Sequence, residues 1–141
     1  MNKRILHVDD SPLILSMIST ELSEYGYEVV SLEDPTKAID VLTGSNIRVC
    51  ILDIKMPVID GLQLLEMIKQ YDGGIQVIMY TGEVSQSTLL EPHRLGAEAC
   101  FFKPLKSYEP LFGCLDTTFK KLERWWGSLR ELQAMPKSPI C

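Results

Sequence analysis

The sequence predicts an α/β domain: a five-stranded parallel sheet, doubly wound, with the chain order (βα)5 and an extended helix at the C-terminal end. Three observations predict it. Short apolar runs alternate with longer amphipathic stretches five times over. The middle run, IRVCILDI, is β-branched and apolar on both faces, as a strand covered from both sides must be. Polar side chains collect where the runs end, at Asp9-Asp10, Asp53, Thr81 and Lys103. At 141 residues the chain is long enough to enclose one substantial core.

Taken in order, KRILHVDD reads as the first strand. SPLILSMISTELSEYG follows as a helix, with Ser11 at the N-cap, Pro12 in the first turn and Gly26 at the stop. YEVVSLED is the second strand and PTKAIDVLTG a short helix closed by Gly44. The central strand IRVCILDI leads to the helix GLQLLEMIKQYDGG, which Asp60 caps and Gly61 enters by a tight turn from the Met56-Pro57 loop. IQVIMYTGE is the fourth strand, SQSTLLEPHRLG a helix that Pro92 is expected to interrupt, and ACFFKP the fifth strand. From about Ser107 a mostly helical segment runs toward Pro136, with Gly127 as a possible break.

Composition excludes some functions. A net charge of −5 argues against nonspecific nucleic-acid binding by the whole chain. No apolar stretch reaches the ~18 residues of a membrane span, and carboxylates follow the basic start too soon for a signal peptide. Cys50, Cys100, Cys114 and Cys141 have no CxxC spacing, so reduced thiols in a cytoplasmic protein are expected.

In a doubly wound sheet the functional crevice lies beyond the carboxyl ends of the strands. Ends of adjacent strands sit roughly 5 Å apart, so Asp9, Asp10 and Asp53 are expected to share a pocket with Thr81 and Lys103. Two carboxylates about 4 Å apart repel by about 4 kcal/mol at an effective dielectric of 20. A hard divalent cation with oxygen ligands relieves that repulsion, and Mg²⁺ uses a few carboxylates together with phosphate oxygens. Acids, a cation, a lysine and a hydroxyl together describe a site for a phosphoryl group carried on an acid side chain.

The stretches ILHVDDSP, ILDIKMPVIDGLQLLEMI, VIMYTGE and LGAEACFFKPL, in this order, resemble the receiver domain of two-component response regulators, of the chemotaxis-regulator type. The resemblance covers about residues 3 to 123, leaving 124 to 141 as a helical extension and tail. Its most specific part is the DxxMPxxDG-like string from Asp53 to Gly61. It implies a flavodoxin-like fold in which Asp53 accepts a phosphoryl group from a histidine kinase or phosphotransfer protein. It implies Mg²⁺, with Mn²⁺ possible, held by Asp10 and Asp53, by Asp9 mainly through metal-bound water, and by the Lys55 backbone carbonyl. Thr81 and Lys103 would contact the phosphoryl group, and Pro104 would follow a cis peptide bond.

The chain departs from the family at Cys100, three before the lysine, where an aromatic ring usually swings inward with the threonine hydroxyl. A thiol is too small for that coupling, so a weaker or rerouted switch is expected around the fourth helix, fifth strand and fifth helix. Lys55 and Glu83 should flank the path of water to an aspartyl phosphate, so that Lys55 either shields it or points into solvent. His7, inside the first strand, is expected to be a packed histidine and not a phosphoryl relay.

Beyond the receiver-like part, Leu115, Phe119, Leu122, Trp126, Leu129 and Leu132 recur at spacings of three and four. Past Leu122 no predicted sheet is left to cover. Trp125, Trp126 and Leu129 must fold back, meet a second copy, or meet another protein, a self-association or partner face being favoured. Residues 104 to 141 hold six Lys or Arg against four Asp or Glu, too weak an excess to claim DNA binding. The expectation is a phosphorylation-switched signalling module and not an enzyme with an external substrate, either free-standing or the front of a longer protein. The alternatives are a degenerate receiver acting as a constitutive interaction domain, and an aspartyl-phosphate phosphohydrolase. The second is disfavoured because Lys55 stands where such enzymes place a second acid.

Overall fold

A computed structural model describes residues 2–136; Cys141 and the last residues of the predicted tail lie outside them. The elements are β1 (Arg4–Val8), α1 (Pro12–Tyr25), β2 (Glu28–Leu32), a 3-10 turn (Pro35–Lys37), α2 (Ala38–Leu42), β3 (Val49–Leu52), α3 (Gly61–Tyr71), β4 (Gln76–Thr81), α4 (Gln86–Arg94), β5 (Ala99–Phe102) and α5 (Glu109–Ala134). All five strands are parallel in the order β2-β1-β3-β4-β5. The order reverses between β1 and β3, so a crevice opens beyond their carboxyl ends.

Alternation along the strands sorts side chains to two cores. Leu6, Val8, Cys50, Leu52, Val77 and Met79 meet α2 and α3 on one face. Ile5, Val49, Ile51, Ile78 and Tyr80 meet α1 and α5 on the other. Every residue of β3 is buried, as expected for the central strand of a sheet covered twice.

Local chemistry sets the helix ends. The Ser11 side chain accepts from the Ile14 N–H, and Gly26 takes the left-handed conformation (φ 105°) that closes α1. Asp60 and Gln63 form a capping box at the start of α3, with the Gln63 N–H donating to Asp60 at 2.8 Å. On the α1/α5 side, Tyr25 stacks on Phe112 with centroids 4.1 Å apart, and Tyr27 on Phe119 at 5.2 Å. Both tyrosine hydroxyls donate to the Asp116 carboxylate, tying α5 to α1 and the start of β2.

Two expected interruptions do not occur. Helix α5 runs through Gly127 without a break for 26 residues, because one glycine costs only about 1 kcal/mol in a helix interior. Helix α4 runs through Pro92 to Arg94. Proline has no N–H for the carbonyl four residues back, here that of Thr88. The Cys100 thiol on β5 donates to that carbonyl at 3.6 Å, and a Ser85–Thr88 capping box holds the other end of the helix. Replacing Cys100 by alanine is expected to cost about 0.5–1 kcal/mol in a urea titration. The loss should vanish in a Pro92→Ala background, whose new N–H satisfies Thr88. An equal loss in both backgrounds would rule the contact out as the cause.

Candidate functional site

Each predicted pocket residue stands at the carboxyl end of a strand or within two steps of it. Asp9 and Asp10 follow β1, Asp53 follows β3, Thr81 ends β4, and Lys103 follows β5. Main-chain bonds fix them: the Asp53 N–H donates to the Val8 carbonyl at 3.1 Å, and the Lys103 N–H to the Thr81 carbonyl at 2.8 Å. Carboxylate oxygens of Asp9, Asp10 and Asp53 all lie within 4.8 Å of one another. Asp9 is completely buried and Asp10 exposed, so the cluster has a closed floor and an open mouth.

Lys103 neutralises part of that charge. Its Nζ is 2.6 Å from Asp9 Oδ2 and 3.3 Å from Asp53 Oδ2, and it sits 5.4 Å from the centre of the Tyr80 ring. The other Asp9 oxygen accepts the Ser11 N–H at 2.9 Å, linking the cluster to the start of α1. Burial pushes the Asp53 carboxyl above the ordinary carboxylate range; the Lys103 ammonium opposes this and the Asp9 charge adds to it. Thr81 Oγ1 accepts the Glu83 N–H at 3.2 Å, which leaves its own O–H to donate elsewhere. An open pocket of about 450 Å³ is lined by Asp53, Lys55, Thr81, Gly82, Glu83 and Lys103.

The loop from Asp53 to Gly61 differs from its sequence reading at Gly61. Gly61 does not serve a turn that needs positive φ. A Cβ there would lie 2.0 Å from the Asp53 carbonyl oxygen and 2.7 Å from Ile54 Cα, so the glycine lets the start of α3 press against the backbone of the central acid. The strained residue is Val58, at φ 70°, in a γ-turn closed by the Ile59 N–H on the Pro57 carbonyl at 2.8 Å. A β-branched side chain gives no sequence signal for that conformation. Buried Met56 anchors the loop, and the Lys103–Pro104 peptide is cis.

Cys100 is half-buried and faces α4, while Phe101 packs into the opposite core. A cavity of about 300 Å³ remains beside the thiol, between α4 and β5. Trp125, Trp126 and Leu129 lie far along α5, at the opposite end of the sheet from the acids, against a groove at the starts of β3 and β4. His7 is fully buried, and among the described residues neither ring nitrogen has a partner.

Three acids at the switch point of a parallel doubly wound sheet, two of them held by one ammonium, define the class: a doubly wound α/β domain with an acidic, cation-suited pocket at its strand ends. The family model of the response regulator receiver domain matches residues 5–110, and the chain belongs to that family. It is 31% identical over 120 residues to sporulation initiation phosphotransferase F of Bacillus subtilis, covering 79% of this chain and 97% of that protein. It is 28% identical to the regulator of RpoS of Escherichia coli, an alignment that takes in 99% of this chain but 43% of that longer protein. The crystal structure of the response regulator TrrA from Thermotoga maritima, in complex with Mg(2+)-BeF, superposes with a TM-score of 0.74 at 29% identity, covering 82% of this chain and 98% of that one.

Proposed function

We propose that this protein is a phosphorylation-dependent signalling switch in which Asp53 is the phosphoacceptor. The observation that carries the reading is the meeting of Asp9, Asp10 and Asp53 within 4.8 Å, with Lys103 bridging two of them, at the switch point of a receiver fold. The donor partner is a histidine kinase or phosphotransfer protein, a reading supported by the phosphotransferase relative. An Asp53 oxygen attacks the phosphorus of a phosphohistidine; the new O–P bond forms as the P–N bond breaks, and the imidazole leaves with the electron pair and takes up a proton. Lys103 then turns from the carboxylates toward a phosphoryl oxygen, and the Thr81 hydroxyl donates to another.

The acids suit a hard divalent cation: three carboxylates in reach of one point, and a mouth open at Asp10. Asp10, Asp53 and the Lys55 carbonyl would hold Mg²⁺ directly, Asp9 acting through its water, and Mn²⁺ shares the same ligand preference. When bound, the ion neutralises charge on the transferring group. Lys55 and Glu83 line the pocket, where Lys55 either shields the aspartyl phosphate from water or points into solvent.

On this reading the protein turns over no external substrate, works without direct nucleic-acid or membrane contact, and belongs in the cytoplasm. Among the described residues, no helix is long and apolar enough to cross a membrane. Residues 1–123 form the switch, and 124–141 carry an extension whose Trp125, Trp126 and Leu129 serve as an interface. Because Cys100 is engaged with the α4 backbone, the signal reaches α4, β5 and α5 without an aromatic swing.

The test is incubation with Mg²⁺ and acetyl phosphate or phosphoramidate, followed by intact mass. The expected result is a gain of one phosphoryl group that chelation prevents and Asp53→Asn abolishes. Faster loss of that group in Lys55→Ala than in wild type is the expected sign of shielding; an unchanged half-life removes it. No gain under any condition favours a constitutive interaction domain, and rapid phosphate release from many esters favours a hydrolase.

A further inference from the structure

Helix α5 carries one stripe through two surroundings. Leu115, Leu122 and Leu129 recur every seven residues; Thr118, Trp125 and Leu132 recur every seven, three places on. Through Leu122 the stripe is buried on the sheet. Beyond it the same stripe is bare: Trp125 is 71% exposed, Leu129 40% and Leu132 63%. The last twelve residues of the helix extend about 18 Å from Leu122. A free segment of that length with a glycine inside is marginal in water, so its continuity calls for packing.

The root of the stripe borders an apolar groove of about 440 Å³ under the sheet, where Arg48 and Gln76 meet Leu122, Trp125 and Leu129. Among the described residues, two buried polar atoms there have no partner, the Gln76 side-chain Oε1 and the Arg48 Nε. Gln76 Nε2 donates to the Gly74 carbonyl at 2.9 Å, and Arg48 Nη1 pairs with Asp72 at 2.6 Å. An unpaired acceptor and an unpaired donor in a buried site are costly, and a polar side chain carrying both functions would satisfy them.

We infer that a second copy of this chain covers the stripe, with the two α5 extensions packed as a short coiled coil about a two-fold axis. A heptad seam is self-complementary, and no seam position from Leu122 to Leu132 is charged, so like meets like without repulsion. The charges of this segment, Glu123, Arg124, Arg130 and Glu131, lie beside and behind the seam and are of both signs. Lys121, at the seam's border, is tied to Glu98 of its own body at 2.9 Å. Exposed area of the two tryptophans, Leu129, Leu132 and Met135 is on the order of 600 Å² per copy, close to the roughly 800 Å² per partner of a stable dimer before the groove walls are counted. The alignment with the regulator of RpoS takes in 99% of this chain.

The experiment is light scattering on the full chain from about 5 to 200 μM without phosphodonor. The expected mass is twice 16.0 kDa at the upper concentrations. Leu129→Glu and Leu132→Glu should each return it to the monomer value with the sheet's circular dichroism retained, while Arg124→Ala, off the seam, should leave the dimer intact. A wild-type monomer at 200 μM overturns the inference, whether or not another protein binds the stripe. So does a dimer that survives both glutamates. Because the seam lies at the far end of the sheet from Asp53 and is read without phosphorylation, either result is independent of the proposed switch.

Discussion

Gly61→Ala is expected to unfold the domain at a temperature about 10 °C lower than wild type, a loss of about 3 kcal/mol or more. The added methyl meets the Asp53 carbonyl at 2.0 Å and the Ile54 Cα at 2.7 Å, and neither is the end of a flexible side chain. The strand end or the first turn of α3 has to move, and the Gly61 N–H bond to the Ile54 carbonyl, 2.7 Å, goes with it. A shift of about 1 Å at a reacting group can cost 100-fold in rate, so phosphorylation by acetyl phosphate should slow even where the variant is folded. Gly113→Ala supplies the contrast: nothing lies within 4 Å of a Cβ at that helical site, and a gain of about 0.5–1 kcal/mol is expected. Equal melting temperatures for Gly61→Ala and wild type would show that the close approach is not as described.

His7→Ile should stabilise the protein, and more so in acid. Both imidazole nitrogens are buried without partners, so the histidine costs about 1–2 kcal/mol at pH 7 that an apolar β-branched residue would not. Burial, reinforced by the Lys103 ammonium, lowers its pKa from 6.5 to about 3. In the unfolded chain the ring takes a proton below pH 6.5; in the fold it does not until about pH 3. Protonation therefore favours unfolding, and the stability fully present above pH 6.5 drains away as the pH falls toward 3. At pH 4.5 the wild type should have lost about 2.5 kcal/mol through this residue alone. Urea titrations at pH 7 and 4.5 decide the matter: a wild type equal to or above the variant at both values overturns the account.

What the sequence made legible, and what it did not, divides by the range of the interaction. The strands and most helix ends rest on neighbours in the chain, and Ser11, Pro12, Gly26 and Asp60 announce them directly. The acid cluster was legible because parallel topology brings strand ends together whatever the loops do. Pro92 misleads because the group that satisfies Thr88 comes from a distant element, at Cys100 on β5. Gly61 reads as a turn residue in the sequence, since its contact with the Asp53 backbone exists only after α3 docks. Nothing in Arg48 or Gln76 predicts a groove, since its opposite wall is built by α5. Val58 carries a backbone conformation that its residue type disfavours, so only the fold can impose it.

The stacked rings that clasp α5 to α1 also make the helix a lever. Its fulcrum lies near Phe112 and Phe119, and fifteen residues separate Phe119 from the tip at Ala134. At 1.5 Å per residue that arm is about 22 Å, so a tilt of only 5° at the clasp would sweep the tip sideways by about 2 Å. A displacement too small to notice at the body thus becomes, at the far tip, a change of the size that decides whether two surfaces mesh.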